Sequence, residues 1–154
     1  LRALQESDIL REYHLLVEGR WSDHHPETLT VTAPLDTENR QQGERHVIVS
    51  PDGKVAVTHF KLLHEGDKIS LLKARLETGR THQIRVHSAH LGTPLLGDSR
   101  YNSDSKLKEK SPRLALHCQH LQFTLSGKRY QFESPIPQDL KAIFKKIEKR
   151  DIGL

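Results

Sequence analysis

The chain has 154 residues, 34% of them hydrophobic and 29% charged, with a formal charge of +4 and a pI near 9.3. That length holds one domain with a real core, and the basic charge suits a nucleic-acid partner without establishing one. Cys118 is the only cysteine, which excludes an intramolecular disulfide and a thiolate metal cluster, and no apolar run approaches the roughly 20 residues that span a bilayer. We therefore expect a cytoplasmic protein without a membrane segment.

Alternation of apolar and polar residues predicts strands along most of the first half of the chain. Residues 1–12 read as the irregular end of a helix or as a linker. Residues 46–63 predict two strands about a Pro-Asp-Gly turn, in which Gly53 supplies a positive φ. The other strands predicted in this half are Tyr13–Glu18, a short one that ends at Pro34, and one within 67–79.

The pattern changes at Thr81, after which apolar positions recur every three to four residues. This period predicts a helix over Thr81–Leu91, with Thr81 as its cap and Gly92 just past its end. A charged segment follows at residues 103–113 and reads as a mobile loop.

Two more strands and a second helix complete the chain. The strands lie within residues 114–125 and 128–136, and Pro137 opens an amphipathic helix. The apolar stripe of that helix consists of Leu140, Ile143, Phe144 and Ile147. This order of elements predicts an α+β fold with a mostly antiparallel, mixed sheet and few flanking helices, rather than a doubly wound parallel sheet.

The segment LETGRTHQIRVHSAHLG, residues 76–92, carries the most unusual chemistry of the chain. His82, His87 and His90 are spaced by five and three, so only two of them share a helix face, which is too few ligands for a zinc site. Ser88 has no glycine elbow around it, and no GxxxxGK loop is present to bind phosphate. We therefore predict no metal, no catalytic triad and no nucleotide loop in this segment.

Two interpretations of the arginines in this segment stay open on chemistry alone. In the first, Arg80 and Arg85 offer planar guanidinium groups to phosphate near a helix N-terminus, and Ile84 between them contacts a flat base. In the second, both arginines form structural salt bridges to Glu77 or Asp98.

Residues 76–101, LETGRTHQIRVHSAHLGTPLLGDSRY, resemble the TGRTHQIRxH…GxPxxGDxxY segment of the RluA-type RNA pseudouridine synthases nearly residue for residue. REYHLLVEG, residues 11–19, resembles the KxYxALVxG strand of that family. LALHCQHLQFTL, residues 114–125, is similar to its LHAxxLxFxHP strand, with Cys118 where alanine is usual. Residues 33–60 further resemble the RluC-like branch, which modifies large-subunit ribosomal RNA.

The resemblance implies a reaction that needs neither a metal nor an organic cofactor. Members of this family isomerise a uridine in RNA to pseudouridine, using an aspartate in a motif that resembles HRLDxxTSG to attack a nucleoside flipped out of the RNA. This sequence contains no HRLD. We therefore expect residues 1–154 to be the C-terminal portion of one catalytic domain, with the aspartate motif upstream of Leu1, and to be inactive alone.

Matching motif positions imply roles for seven residues. Tyr13 would stack on the target base, with its hydroxyl available for proton transfer, and Ile84 would form the apolar floor of the pocket. Arg85 would pair with the catalytic aspartate and keep that carboxylate ionised by lowering its pKa. The residues placed to bind RNA backbone or to brace the pocket are Arg80, Thr81, His82 and Gln83.

The expected partner is RNA, with large-subunit ribosomal RNA as the first choice. A synthase that acts on transfer RNA and a non-catalytic RNA-binding module on the same scaffold are the alternatives. A monomer is the working expectation for the assembly. Since the partner aspartate of Arg85 is expected elsewhere, this guanidinium should be unpaired in the present chain, and the sheet should expose an edge.

Overall fold

A computed structural model describes residues 9–153, which form a six-stranded antiparallel sheet with one helix on each face. The strands are β1 (Ile9–Glu18), β2 (Thr28–Val31), β3 (Leu35–Asp36), β4 (Arg40–Gln41), β5 (Glu44–Arg45), β6 (Ile48–Val49), β7 (Thr58–Glu65), β8 (Ile69–Leu76), β9 (Leu116–Leu125) and β10 (Lys128–Glu133). The helices are α1 (Gln83–His90) and α2 (Gln138–Glu148), with a 3₁₀ turn at Trp21–Asp23.

The large sheet has the strand order β10-β9-β1-β8-β7-β2, while β3–β6 and β4–β5 form two small ribbons. All of these pairs are antiparallel, so the predicted α+β class with an antiparallel sheet is confirmed. β10 and β2 are the outer strands, and each pairs along one side only within residues 9–153. No helix in that range is long and apolar enough to cross a membrane.

Successive side chains of β1 point to opposite faces of the sheet, as strand geometry requires. Leu15 belongs to the apolar cluster that contains Trp21 and Ile84 of α1, so we name this side the α1 face. Leu16 belongs to the cluster that contains Phe144 of α2, on the α2 face. Both faces are covered at the middle of the sheet, which explains why successive residues are buried at 15–17 of β1 and 69–72 of β8.

Helix α2 matches its prediction. It begins directly after Pro137, and its buried residues are Leu140, Ile143, Phe144 and Ile147. Its last residue, Glu148, accepts hydrogen bonds from the backbone N–H groups of residues 67, 68 and 69 at 2.9, 2.7 and 2.8 Å. The end of α2 is therefore tied to the turn between β7 and β8.

Two predictions about the strands are wrong. β1 already begins at Ile9, so residues 9–12 are neither helix nor linker, while residues 1–8 lie outside the described residues. The strands on either side of the Pro-Asp-Gly turn do not pair with each other, because β6 pairs with β3, and β7 with β2 and β8. Gly53 has no positive φ; a Cβ there would instead collide with the backbone of Leu35.

Candidate functional site

Helix α1 begins two residues later than predicted. His82 precedes it as the N-cap, with a left-handed φ of 56°, and no side chain caps the helix. The prediction that Thr81 is the cap is therefore wrong, and its Oγ1 instead accepts a hydrogen bond from Nη1 of Arg45 at 3.1 Å. A left-handed non-glycine residue is strained, so the surrounding contacts must hold this turn in place.

A set of buried hydrogen bonds fixes the first turn of α1 to the sheet. Gln83 is 2% exposed, and its amide oxygen accepts from Oγ1 of Thr78 at 2.7 Å and from the N–H of Arg80 at 3.0 Å. Its amide nitrogen donates to the carbonyl of Val57 at 3.0 Å and to Oγ1 of Thr58 at 2.9 Å. All polar atoms of the side chain are thus used internally. Gln83 braces the helix, and an RNA contact predicted for its side chain does not fit this geometry.

His87 continues this hydrogen-bond network one turn along α1. Its Nε2 lies 2.8 Å from the carbonyl of Ala33, and its Nδ1 lies 2.8 Å from Oγ1 of Thr58. A carbonyl only accepts, so Nε2 carries the hydrogen and Nδ1 accepts from the threonine hydroxyl. Burial lowers the pKa of His87, which keeps the ring in this neutral form. Over residues 9–153, no group of three His, Cys, Asp or Glu is arranged to hold a metal.

Arg85 has an internal partner. Its Nε donates to Oδ2 of Asp98 at 3.0 Å and its Nη2 donates to Oδ1 at 2.9 Å. Burial alone would raise the pKa of Asp98, but the bonds from Arg85 and from the N–H groups of Tyr101 and Arg100 outweigh it, so the pKa is lowered. The structural salt bridge to Asp98 is therefore present, and the expectation of an unpaired Arg85 is wrong.

Arg80 and Glu77, by contrast, do not form the salt bridge that the second interpretation offered. Nε of Arg80 donates to the carbonyl of Val55 at 2.8 Å, while Oε1 of Glu77 lies 2.6 Å from Nε2 of His59. The guanidinium of Arg80 keeps donors that the described residues do not use. It therefore fits a contact with an external anion better than Gln83 does.

Tyr101 contacts both Arg85 and His82, and it was not among the site residues predicted from the sequence. The guanidinium carbon of Arg85 is 5.1 Å from its ring centroid, and its hydroxyl accepts the N–H of Val47 at 3.0 Å. The same hydroxyl lies 2.7 Å from Nδ1 of His82. Burial, followed by the charges of Arg85 and Arg100, lowers the pKa of His82, so a neutral ring can accept the phenolic hydrogen. The GDSRY stretch was the signal that could have identified both Asp98 and Tyr101.

Tyr13 and Ile84 lie on the α1 face. Tyr13 packs against the apolar cluster that includes Ile84, which is 4% exposed. Burial and the neighbouring Cys118 raise the pKa of Tyr13, so its hydroxyl is protonated at neutral pH. The structure therefore joins these two predicted residues in one cluster. Arg85 follows Ile84 in the helix, but its own described contacts are to Asp98 and Tyr101.

Comparison with known proteins identifies clear relatives. A family model described as RNA pseudouridylate synthase matches residues 1–90. The uncharacterized RNA pseudouridine synthase YjbO of Bacillus subtilis is 39% identical over 139 residues, which are 89% of this chain and 46% of that protein. Ribosomal large subunit pseudouridine synthase D of Vibrio cholerae is 36% identical in an alignment 155 positions long, which covers 91% of this chain and 45% of that protein. The chain spans less than half the length of these relatives.

Solved structures share the fold. Human RNA pseudouridylate synthase domain containing 1 superimposes with a TM-score of 0.77 and 23% identity, over 90% of this chain and 60% of that chain. Human RNA pseudouridylate synthase domain containing 4 gives a TM-score of 0.67 with 20% identity, over 90% of this chain and 62% of that chain. The sheet and its two helices thus correspond to part of such a domain.

Proposed function

Because this chain belongs to the RNA pseudouridylate synthase family, we propose that the protein isomerises specific uridines in RNA to pseudouridine. The family match over residues 1–90 is the observation that carries the proposal, since it includes Tyr13, Ile84 and Arg85. Several relatives named as large-subunit pseudouridine synthase D favour large-subunit ribosomal RNA as the substrate. The RluC-like branch stays a prediction, because these named relatives are of type D.

The base of the target uridine would meet Tyr13 and Ile84. Extrusion of a base from RNA costs about a few kcal/mol, and stacking on an aromatic ring returns about 1–3 kcal/mol. The half-buried ring of Tyr13 supplies such a surface, and its protonated hydroxyl supplies a hydrogen for transfer. Ile84 closes the apolar side of the site, where a flat base excludes water.

Arg85 would hold the attacking carboxylate in its ionised form. A guanidinium at contact distance lowers the pKa of a carboxylate, which preserves the nucleophile at neutral pH. Since Arg85 already pairs with Asp98, its effect on a second carboxylate is smaller than that of an isolated guanidinium. The second carboxylate would therefore share the guanidinium with Asp98.

The turn before α1 would contact the RNA backbone. Arg45 donates to Thr81 there, and the guanidinium of Arg80 adds positive charge, which suits phosphate groups, whereas Arg100 is ion-paired with Glu44. No metal or organic cofactor enters the proposed reaction. Binding at this turn should weaken as salt rises, because each phosphate contact releases a counterion.

The proposal is tested by mapping pseudouridine in a strain that lacks the gene. We expect one or a few large-subunit ribosomal sites to lose the modification, and the full-length gene to restore it. A gene with Arg85→Met should not restore it, whereas Arg113→Met, which removes an exposed arginine, should. In vitro, Arg85→Met should lower the single-turnover rate by at least about 1000-fold through lost electrostatic stabilisation, with RNA affinity changed by less than about threefold.

The outcomes separate the candidate substrates. Loss of modification at a transfer-RNA site, with ribosomal sites intact, would move the substrate to transfer RNA. Full modification at every large-subunit and transfer-RNA site would contradict the enzymatic proposal and leave a non-catalytic RNA-binding module.

A further inference from the structure

Asp98 is anchored to the sheet by the backbone before it. Gly97 has a φ of +74°, and a Cβ on it would collide with the carbonyl of Arg113, so this turn requires glycine. Leu96 is buried, and its N–H donates to the carbonyl of Leu16 in β1 at 3.0 Å. The carboxylate of Asp98 therefore has a position set by the central strand. It is also fully buried, with four N–H donors directed at it.

The pairing with Asp98 uses one defined edge of the Arg85 guanidinium. Nε and Nη2 donate to Asp98, which are the donors of the side-on edge. Within the described part of the chain, no group accepts from Nη1. The side chain of Arg85 is 21% exposed, so the Nη1 side is the one open to a further acceptor.

Tyr101 fixes the plane of the same guanidinium. Its ring lies against Arg85, with 5.1 Å between the guanidinium carbon and the ring centroid, a distance suited to cation–π attraction. Its hydroxyl is held by the N–H of Val47 and by Nδ1 of His82. The ring therefore cannot rotate away without breaking two hydrogen bonds. Asp98 sets the edge that Arg85 presents, and Tyr101 sets the tilt.

We infer that Asp98 and Tyr101 are positioning residues, which together form a clamp that leaves only the Nη1 side of Arg85 to face the reacting carboxylate and uridine. We name these two residues the Arg85 clamp. The catalytic part of this inference rests on the proposed function, whereas the clamp itself is a property of this chain. A donor that is oriented before substrate arrives stabilises developing charge without a reorganisation cost during the reaction.

The clamp is tested first without any measurement of activity. In the full-length protein, the Nε–H of Arg85 should give a slowly exchanging NMR signal, assigned by its loss in Arg85→Lys. Asp98→Asn should shift this signal and make its exchange fast. Asp139→Asn is the matched control, because Arg113 and Asp139 form the same two-bond arrangement on the surface. An unchanged Arg85 signal in Asp98→Asn would overturn the clamp.

The catalytic consequence is tested by single-turnover kinetics on target RNA. Asp98→Asn and Tyr101→Leu should each lower the rate constant by about 100-fold, the loss expected from a displaced group, with RNA affinity within about threefold of wild type. Tyr101→Phe keeps the ring and should lose about tenfold or less. The amplitude, which counts folded enzyme, should stay constant. Asp139→Asn should match the wild type.

The outcomes distinguish the inference from the proposed function. A rate constant for Asp98→Asn within about twofold of wild type, or a loss of RNA affinity as large as the loss of rate, would overturn the positioning role. If Asp98→Asn fails to fold, equal rates for Tyr101→Phe and Tyr101→Leu would overturn it. A wild-type protein that converts no uridine in any RNA contradicts the proposed function, while the NMR measurement still decides whether the clamp exists.

Discussion

The two helices cover opposite faces of one sheet by different means. Helix α2 buries an apolar stripe that includes Phe144, whereas α1 buries the hydrogen-bonded side chains of Gln83 and His87 beside only two apolar side chains. Apolar burial is non-directional, but a hydrogen bond fits one partner in one geometry. Helix α1 thus gains a fixed register that α2 does not need. The difference indicates that α1 is built to place side chains and α2 to stabilise the sheet.

The largest effect on stability is expected from a substitution in the apolar stripe of α2. Phe144→Ala removes a fully buried aromatic ring from α2, so the free energy of unfolding should fall by about 3–5 kcal/mol. Urea unfolding of the full-length protein measures this loss. The turnover rate per folded molecule should not change, because Tyr13 and Ile84 pack in the cluster of the α1 face, whereas α2 packs in the cluster of the opposite face.

The control is Lys146→Ala, which removes an exposed side chain of the same helix and should change the free energy by less than about 0.5 kcal/mol. A reduced turnover rate in folded Phe144→Ala enzyme would contradict the separation of the two faces.

A smaller effect on stability is expected on the polar side. Gln83→Leu removes the acceptor of the Thr78 hydroxyl and of the N–H of Arg80, and the side-chain donor to the carbonyl of Val57, which should cost about 1–3 kcal/mol. Unlike Phe144→Ala, it should also lower the turnover rate, because α1 loses its register. Unfolding and single-turnover kinetics on the same preparation measure both quantities. Gln131→Leu, on the exposed face of β10, serves as the matched control.

The smallest effect is a dependence of stability on pH. Burial lowers the pKa of His87, so the folded protein keeps this ring neutral while the unfolded chain takes up a proton near pH 6.5. The unfolded state then binds more protons, and stability falls as pH drops below 6.5. We expect a loss of less than about 1 kcal/mol between pH 7 and 6 from this residue.

The pH dependence can be checked by urea unfolding across that range. His14 and His82, whose pKa values are also lowered mainly by burial, should add to the slope. Replacement of His87 by asparagine should make the slope shallower. An unfolding free energy that rises on acidification through this range would show that the rings are charged in the folded state.

Local sequence patterns correctly predicted the elements that pack through apolar side chains, because such packing does not depend on one specific partner residue. The alternation in Tyr13–Glu18 and the apolar stripe of α2 both reflect burial against a broad apolar surface, so they can be read without knowledge of the neighbours. The start of α1 could not be read in this way. A threonine followed by a helical period predicts a cap, but Gln83 bonds to Thr58 of β7, which only the folded sheet brings close to it.

The sequence predicted which residue types form the candidate site, but it did not predict which acceptor pairs with Arg85. The sequence allowed Arg85 to meet phosphate, an external carboxylate or Asp98, because each offers the same oxygen acceptors. The choice of Asp98 depends on how the turn at Gly97 docks on β1, a long-range contact. The prediction of a positive φ at Gly53 was wrong for a related reason. This position needs glycine because the backbone of Leu35 approaches it closely, and not because of a local turn.

The carboxylate of Glu148, at the end of α2, stabilises a turn that lies about 80 residues earlier in the chain. It accepts hydrogen bonds from three consecutive backbone amides at the tip of the β7–β8 hairpin, so a protease cut ahead of this residue would remove the bonds that tie this tip to α2. A fusion partner joined beyond Lys149 would leave these three hydrogen bonds of Glu148 intact. Ile152 is buried in the same cluster as Phe144, so truncation boundaries for biochemical work on this protein should be drawn after Ile152.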